Sequence, residues 1–289
     1  MEVSGGLFQF NQSYNEQSLQ DVANQYQIKQ YGRQLFSSGA FMPLGVALVQ
    51  ETTVFREYGP LSGNTVRVGY EYAPKLGQLL SRQTADVDAR YYMRLATNGV
   101  LAFRARGFKS WGEFPGYLYF GGNSEMRGYD YLQFLGNKAF FLDGELRFPL
   151  IEAALTPLGV IGGLRGIAYA NIGAAGYEGV PMKVYSRDPI VVTPLLGFEP
   201  NYTTLTYDPV YGPPASIGGL KLVDGRASYG LGLETFALGF PIHFDWSWRT
   251  LLNKDYEDYV FAYQGIQEGT TGSKWFRKPR FSIWIGYDF

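Results

Sequence analysis

Apolar and polar residues alternate along much of the chain. Between 279 and 289, every odd position from Phe281 to Phe289 is apolar, and the even positions carry Ser, Trp, Gly and Asp. Between 242 and 249 the even positions are Ile, Phe, Trp and Trp, and the odd positions are His, Asp, Ser and Arg. Because a β-strand points successive side chains to opposite faces, these runs predict strands with one apolar face and one polar face.

Other segments share this period of two. The clear ones are 65–72, 86–95, 100–106 and 138–148, and the weaker ones are 5–13, 30–40, 44–57, 160–173 and 227–238. Most have the length that a tilted strand needs to cross a bilayer, about 9–11 residues. An apolar face opposite a charged face is typical of a wall between hydrocarbon and an aqueous lumen. The pattern therefore predicts an all-β fold for 1–289, an antiparallel transmembrane β-barrel.

The predicted connections differ in length. Three are long, at 109–137, 174–226 and 251–278, whereas Thr97-Asn98-Gly99 and Leu238-Gly239-Phe240-Pro241 are tight turns. Counting back from the C-terminus places the long connections on one side, as in outer-membrane barrels with long external loops. The pattern yields about eleven strands, whereas a closed barrel of this type needs an even number, and 41–45 indicates a short turn on the long-loop side. We therefore expect 10–12 strands.

The amino-acid composition excludes only a few classes of protein. The chain has 23 Tyr, 21 Phe, 5 Trp and 37 Gly, which suits lipid-facing walls but also a large soluble β-sandwich. A net charge of −1 gives no reason to expect a nucleic-acid partner, and the lack of cysteine excludes disulfides and thiolate sites. No apolar run reaches the ~18 residues of a transmembrane helix. Residues 1–4 do not form a signal peptide, so we expect a mature form or the C-terminal part of a longer protein.

Candidate catalytic groups are sparse. His243 is the only histidine and lies two residues before Asp245, which favours a hydrated wall residue over a hydrolase site. Asp86 and Asp88 share a face with Arg90, which favours ion pairs over a cation site. We therefore expect no catalytic residues, no cofactor and no metal.

The C-terminus ends Gly286-Tyr287-Asp288-Phe289. It resembles the sorting signal of outer-membrane barrels, which has a terminal aromatic residue, another aromatic two residues earlier and a glycine just upstream. The resemblance implies that Gly286, Tyr287 and Phe289 present a strand edge to the barrel assembly machinery.

Residues 120–149 carry a second motif. It consists of Gly121-Gly122, then Met126-Arg127-Gly128-Tyr129, then Glu145-Leu146-Arg147-Phe148-Pro149. Here the chain resembles the BamA-type superfamily, also called the bacterial surface antigen family, over roughly 44–289. The resemblance implies that the long external loop 109–137 folds into the barrel lumen, where its arginine docks on acidic groups of the wall.

The residues themselves allow such a lock between loop and wall. Asp143 and Glu145 share the polar face of the next predicted strand, and an arginine removed from water needs a carboxylate partner. We predict that Arg127 pairs with Glu145 or Asp143, and that Gly128 and Tyr129 shape the loop tip. The family usually has an aspartate on the following strand where this chain has Asn171. Asn171 carries no charge, so the pairing with Arg127 depends on Asp143 and Glu145.

Three functions remain open. The first is insertion, assembly or translocation of proteins at the bacterial outer membrane, with outer-membrane lipids, lipopolysaccharide, the assembly machinery and client proteins as partners. The second is a membrane anchor or pore for an upstream domain. The third, a barrel lipid hydrolase or protease, lacks a histidine-centred site with a nucleophile. Upstream periplasmic repeats would favour the first function, and an upstream propeller or hydrolase domain would favour the second.

Overall fold

A computed structural model describes residues 1–11, 38–56, 59–95, 99–156, 159–237 and 240–286. In chain order the strands are β1 (Glu2–Gly5), β2 (Phe8–Asn11), β3 (Ser38–Phe41), β4 (Leu44–Glu51), β5 (Val54–Arg56), β6 (Gly59–Ala73), β7 (Arg82–Arg94), β8 (Val100–Gly112), β9 (Leu118–Phe120), β10 (Phe134–Gly136), β11 (Lys138–Thr156), β12 (Gly159–Gly176), β13 (Tyr185–Ser186), β14 (Ile190–Val192), β15 (Leu195–Asn201), β16 (Thr206–Tyr211), β17 (Ala215–Ile217), β18 (Lys221–Leu222), β19 (Arg226–Ala237), β20 (Phe240–Thr250) and β21 (Arg280–Ile285). Three short helices follow β20, namely α1 (Lys254–Val260), α2 (Ala262–Gln267) and α3 (Lys274–Arg277). The predicted all-β, antiparallel class is confirmed.

One large antiparallel sheet dominates the fold. Its strand order is β1-β4-β6-β7-β8-β11-β12-β19-β20-β21, with β5 beside β6. The longest ladder joins β11 to β12, from Lys138↔Gly176 to Thr156↔Gly159, with a register shift after Pro149. Among the described residues, no pairing joins β1 to β21.

Successive connections of this sheet lie at opposite ends, because neighbouring strands are antiparallel. One end carries 6–43, 74–81, 113–137, 177–225 and 251–279. The other end carries 52–58, 95–99, 157–158 and 238–239, so all the shortest connections lie together. Strand β8 extends to Gly112, so the loop predicted at 109–137 starts at 113.

Residues 42 and 43 form the short link predicted at 41–45, at the end of the long connections, but this link joins the main sheet to a side hairpin. Strand β3 ends at Phe41 and pairs with β2, whereas β4 starts at Leu44 in the main sheet. The weak candidates at 5–13 and 30–40 include this side hairpin, and β1 (Glu2–Gly5) takes the single main-sheet place in this region, so the eleven predicted strands become ten in the continuous path. The segments 15–27 and 96–98, residues 238 and 239, and residues 287–289 lie outside the described part of the chain.

The two faces of the sheet differ in an unusual way. On β11 the side chains of Asp143 and Glu145 are buried, at 3% and 1% exposure, whereas Leu142 and Leu146 are 46% and 38% exposed. The apolar side chains of the other strands are exposed as well, among them Leu48, Val68, Tyr91, Phe103, Leu231, Trp246, Phe281 and Ile283. From β8 to β21 the charged face is largely covered and the apolar face is open, which reverses the usual arrangement of a globular protein, whereas the side chain of Arg67 on β6 is 45% exposed.

Local structure forms within the long connections. Residues 177–225 contain a ribbon of three short antiparallel pairings, β13–β18, β14–β17 and β15–β16. Residues 251–279, expected to be a plain connection, contain the three helices. The first begins at Asn253, whose side chain accepts a hydrogen bond of 3.0 Å from the Tyr256 amide. No helix in the described ranges is long and apolar enough to span a membrane.

Candidate functional site

The loop 113–137 packs on the charged face of the sheet. Its tightest turn lies at Gly121 and Gly122, which have φ values of 130° and 90°. A Cβ atom on Gly121 would lie 2.8 Å from the carbonyl oxygen of Asp130, so only glycine fits there. The Met126 amide donates to the Gly122 carbonyl at 3.0 Å, and Met126 is fully buried. This turn aims the following residue, Arg127, at the wall.

Arg127 is 2% exposed and is surrounded by groups from four strands, β11, β12, β20 and β21. Its Nη2 donates to Glu145 Oε1 at 2.5 Å, and its Nε donates to the Asn123 carbonyl at 2.9 Å. The same Nε lies 3.8 Å from Asp245 Oδ2 on β20. The guanidinium also lies over the Tyr169 ring, 4.4 Å from its centroid. Two carboxylates and an aromatic face therefore offset the cost of burying this charge.

Glu145 is shared between two arginines. Its second oxygen, Oε2, accepts from Arg147 Nε at 2.8 Å and lies 2.6 Å from Arg147 Nη2. Arg147 and Glu145 are both 1% exposed and two residues apart on β11, so they face the same side. The wall arginine therefore holds Glu145 in place whether or not the loop arginine is present.

Asp245 connects the loop to the last strand. Its Oδ2 accepts from Trp284 Nε1 at 2.7 Å, and the Trp284 ring centroid lies 5.8 Å from the Arg127 guanidinium carbon. His243 stacks on Trp284 with ring centroids 3.8 Å apart, and its Nε2 donates to the Gly286 carbonyl at 2.9 Å. His243 and Asp245 thus both contact Trp284, and both serve the packing of β21 on β20.

The loop tip fits closely against β19 and β20. Gly128 has a φ of 85°, and a Cβ atom there would lie 2.8 Å from the Ser247 Cβ. The Tyr129 hydroxyl donates to the Ala227 carbonyl at 3.0 Å, and burial raises the pKa of Tyr129. Arg280 Nη1, on β21, donates to the Gly128 carbonyl at 3.1 Å. The tip is therefore held by backbone shape as well as by charge.

Asp143 is hydrogen-bonded to the neighbouring strand β12. Asn171 Nδ2 donates to Asp143 Oδ1, and the Ser228 hydroxyl donates to Asn171 Oδ1 at 3.3 Å. All three side chains are buried. Of the two carboxylates offered by the sequence, Glu145 contacts Arg127, and Asp143 forms a neighbouring chain of hydrogen bonds across β11, β12 and β19.

The rest of the charged face consists of ion pairs. Asp88 Oδ2 lies 3.1 Å from Arg90 Nη2 and 2.9 Å from Arg104 Nη2. Asp86 contacts Arg106 at 3.4 Å and Arg67 at 3.3 Å. In the ranges given above, no group of three or more acidic or histidine side chains could hold a metal ion.

Several contacts of the site were missed by sequence reasoning. Asp245, Tyr169, Trp284 and Ser247 come from three strands far apart in the chain. The alternation in 242–249 already placed Asp245 and Ser247 on the polar face, but the register that brings them to Arg127 comes from pairing across β12, β19 and β20. Of the predicted C-terminal signal, Gly286 contacts His243, while Tyr287 and Phe289 lie outside the described residues.

Comparison of the chain with models of protein families gives no match, and comparison with curated proteins gives none either.

Proposed function

We propose that this chain is a BamA-type β-barrel of the bacterial outer membrane that inserts or translocates other proteins. One observation carries the membrane part of this proposal: the exposed face of the sheet is apolar, and the opposite face is charged and covered. Apolar surface left in water costs about 25 cal/mol per Å². A face of this size is stable where hydrocarbon covers it, with the polar face towards an interior.

The proposed position in a membrane also requires the sheet to close into a barrel. In hydrocarbon an open strand edge leaves backbone groups without partners, so membrane sheets close. The main sheet has ten strands in its continuous path, an even number that sets β1 and β21 antiparallel to each other. We therefore expect β1 and β21 to pair in the membrane.

The seam between β1 and β21 supports the insertion role. Over the described residues, strand β1 pairs with β4 from Glu2↔Ala47 to Gly5↔Leu44, and β21 pairs with β20 from Ile242↔Ile285 to Ser247↔Arg280. A seam between the described parts of these two strands would contain few hydrogen bonds. An unfolded client strand can add to an open edge by backbone pairing alone, which makes the edge a template.

Closure can be tested by cross-linking, because the chain contains no natural cysteine. Cysteines at Val3 and at Phe281, Ile283 or Ile285, one pair at a time, are oxidised in lipid vesicles. At least one pair should form a disulfide, since opposed residues on paired strands are close. No disulfide in any pair, while Val3→Cys with Val46→Cys, its opposed residue on β4, cross-links efficiently, would contradict closure.

Insertion is tested with the protein reconstituted into vesicles. A urea-unfolded small outer-membrane barrel is diluted in, and its folding is followed by gel mobility. We expect faster folding than in empty vesicles, and loss of that acceleration when the seam is cross-linked. Equal rates with and without the protein would remove the insertion role.

An anchor is the second candidate, and the filling of the polar interior favours it over a pore. Arg127 and its partners are nearly fully buried, so the loop occupies the space that a pore would need. Single-channel recording distinguishes the two: an anchor shows a closed or nearly closed barrel, and a pore shows steady conductance. An anchor also leaves client folding rates unchanged.

A further inference from the structure

We call Arg127 and the groups around it, namely Glu145, Arg147, Tyr169, Asp245 and Trp284, the Arg127 cluster. A groove lies away from this cluster, between the ribbon of residues 185–222 and the helical segment 254–278. Two contacts fix its walls: Asn253 Nδ2 donates to the Gly218 carbonyl at 2.8 Å, and the rings of Phe198 and Tyr263 meet edge to face with centroids 5.8 Å apart. Between them lies a cavity of about 900 Å³. This volume is within the range of small-molecule sites, about 300–1,000 Å³. We call it the ribbon groove.

The walls of the ribbon groove are largely apolar. The ribbon contributes Leu196 and Ile217, and the helical segment contributes Ile266 and Trp275. Leu196 is a large aliphatic side chain beside the cavity, and it is 63% exposed. Exposed apolar surface beside a concave site is typical of a ligand-binding groove. A bound acyl chain would cover Leu196 and lie against Ile217, which is 5% exposed.

One rim of the groove is basic. The rim carries Lys274, Arg277 and Lys278. Arg277 and Lys278 lie three and four residues after Lys274, a spacing that brings side chains close together on a helical turn, so the three positive charges repel one another. Arg277 Nη1 is held by Glu257 at 2.8 Å, whereas Lys274 and Lys278 have no ion pair within the described ranges. An anion at this rim would relieve the repulsion.

The acidic residues of the groove do not neutralise the positive charge of this rim. Asp258 accepts from Lys254 Nζ and from the Ser273 hydroxyl, both at 2.5 Å. Burial raises the pKa of Asp258, but these hydrogen bonds outweigh it and lower the pKa, so the carboxylate is ionised and already paired. Asp255 and Glu268 also line the groove but are exposed and lie outside the turn that carries the lysines.

We propose that the ribbon groove binds an amphipathic anion, an acyl chain ending in a phosphate or carboxylate. The chain lies along Leu196, Ile217 and Trp275, and the anionic head lies between Lys274 and Lys278. This site is independent of insertion or anchoring, because none of its residues belongs to the seam or to the Arg127 cluster.

The test uses the full chain in phosphatidylcholine nanodiscs and a photoreactive lysophosphatidic acid. Labelled peptides are identified by mass spectrometry. We expect labelling of the segments around Leu196 and Trp275, reduced at least about fivefold in the double variant Lys274→Gln/Lys278→Gln. The matched control is the double variant Lys109→Gln/Lys183→Gln, which also removes two positive charges, both outside the groove, and should label like the unaltered protein.

Two further arms identify what is recognised. A monoacylglycerol probe with the same chain and no phosphate should label the groove weakly. A large excess of inorganic phosphate should compete only partly, because the chain contributes to binding. Equal labelling by both probes, equal labelling of the double variant, or complete competition by inorganic phosphate would each overturn the proposal.

Discussion

Replacement of Arg127 by alanine tests how the loop is held. Removing one partner of a buried ion pair costs about 3–5 kcal/mol, because the other charge stays buried. Glu145 keeps Arg147, with Nη2 at 2.6 Å, so the uncompensated charge falls mainly on Asp245. The hydrogen bond to the Asn123 carbonyl and the contact with the Tyr169 ring are lost as well. We therefore expect the lower end of the range, about 3 kcal/mol.

This cost should appear as local opening of the loop. At about 1.4 kcal/mol per factor of ten, 3 kcal/mol corresponds to about a hundredfold rise in the open population. Amide hydrogen exchange of residues 119–131 measures that population in nanodiscs, since the amides of Gly121, Met126 and Tyr129 are hydrogen-bonded in the closed loop. Strands far from the loop should exchange as before.

A matched control contacts the same loop from β21. Arg280 donates to the Gly128 carbonyl and to Asp130 Oδ1 at 2.8 Å, but its side chain is 41% exposed. Arg280→Ala should cost less than about 1 kcal/mol, because exposed pairs contribute little. If Arg127→Ala and Arg280→Ala accelerate exchange by the same small factor, the buried pair does not hold the loop and our reasoning is refuted.

Three further changes test other parts of the account. Gly128→Ala should open the loop tip through steric strain, and adding Ser247→Gly should restore part of the protection; no rescue would show that the 2.8 Å approach is not the cause. Asn171→Asp should lower stability to urea at pH 8, because it sets a second carboxylate against Asp143, and a neutral or stabilising effect would contradict the hydrogen-bond chain. The folded pKa of Asp258 is lowered, so its contribution is present above its ordinary value near 3.8 and lost as the pH falls through the folded value. Exchange protection of 254–277 should therefore drop below about pH 4, and Asp258→Asn should remove that dependence and lower the protection at pH 7.

The alternation of apolar and polar residues predicted most of the main sheet, because each strand separates an apolar face from a charged face. In 86–95 and 138–148 one face is apolar and the other charged, so alternation alone fixes which side chains share a face. The patterns were weakest where the polar side is glycine- or serine-rich, as in 5–13 and 30–40. There no face is defined, and the side hairpin β2–β3 could not be distinguished from strands of the main sheet.

The candidate site was only partly predictable. The motif around Arg127 and the carboxylates of β11 indicated a buried arginine, and Glu145 is the carboxylate that it contacts. Asp245 could not be assigned, because its approach to Arg127 depends on the stagger of β20 relative to β12, which no local pattern encodes. The helices in 251–279 were missed because short helices of this kind depend on tertiary contacts, such as the Arg249 side chain donating to the Phe276 carbonyl at 3.1 Å.

The central claim is that the exposed apolar face meets hydrocarbon while the neighbouring residues face a polar interior. Single cysteines at Ile283 and Ser282, and at Val68 and Arg67, can each carry a fluorescent label in vesicles that contain brominated lipid. The account predicts strong lipid quenching at Ile283 and Val68 and little at Ser282 and Arg67. Equal, weak quenching at all four positions, in a protein that stays monodisperse without detergent, would contradict it.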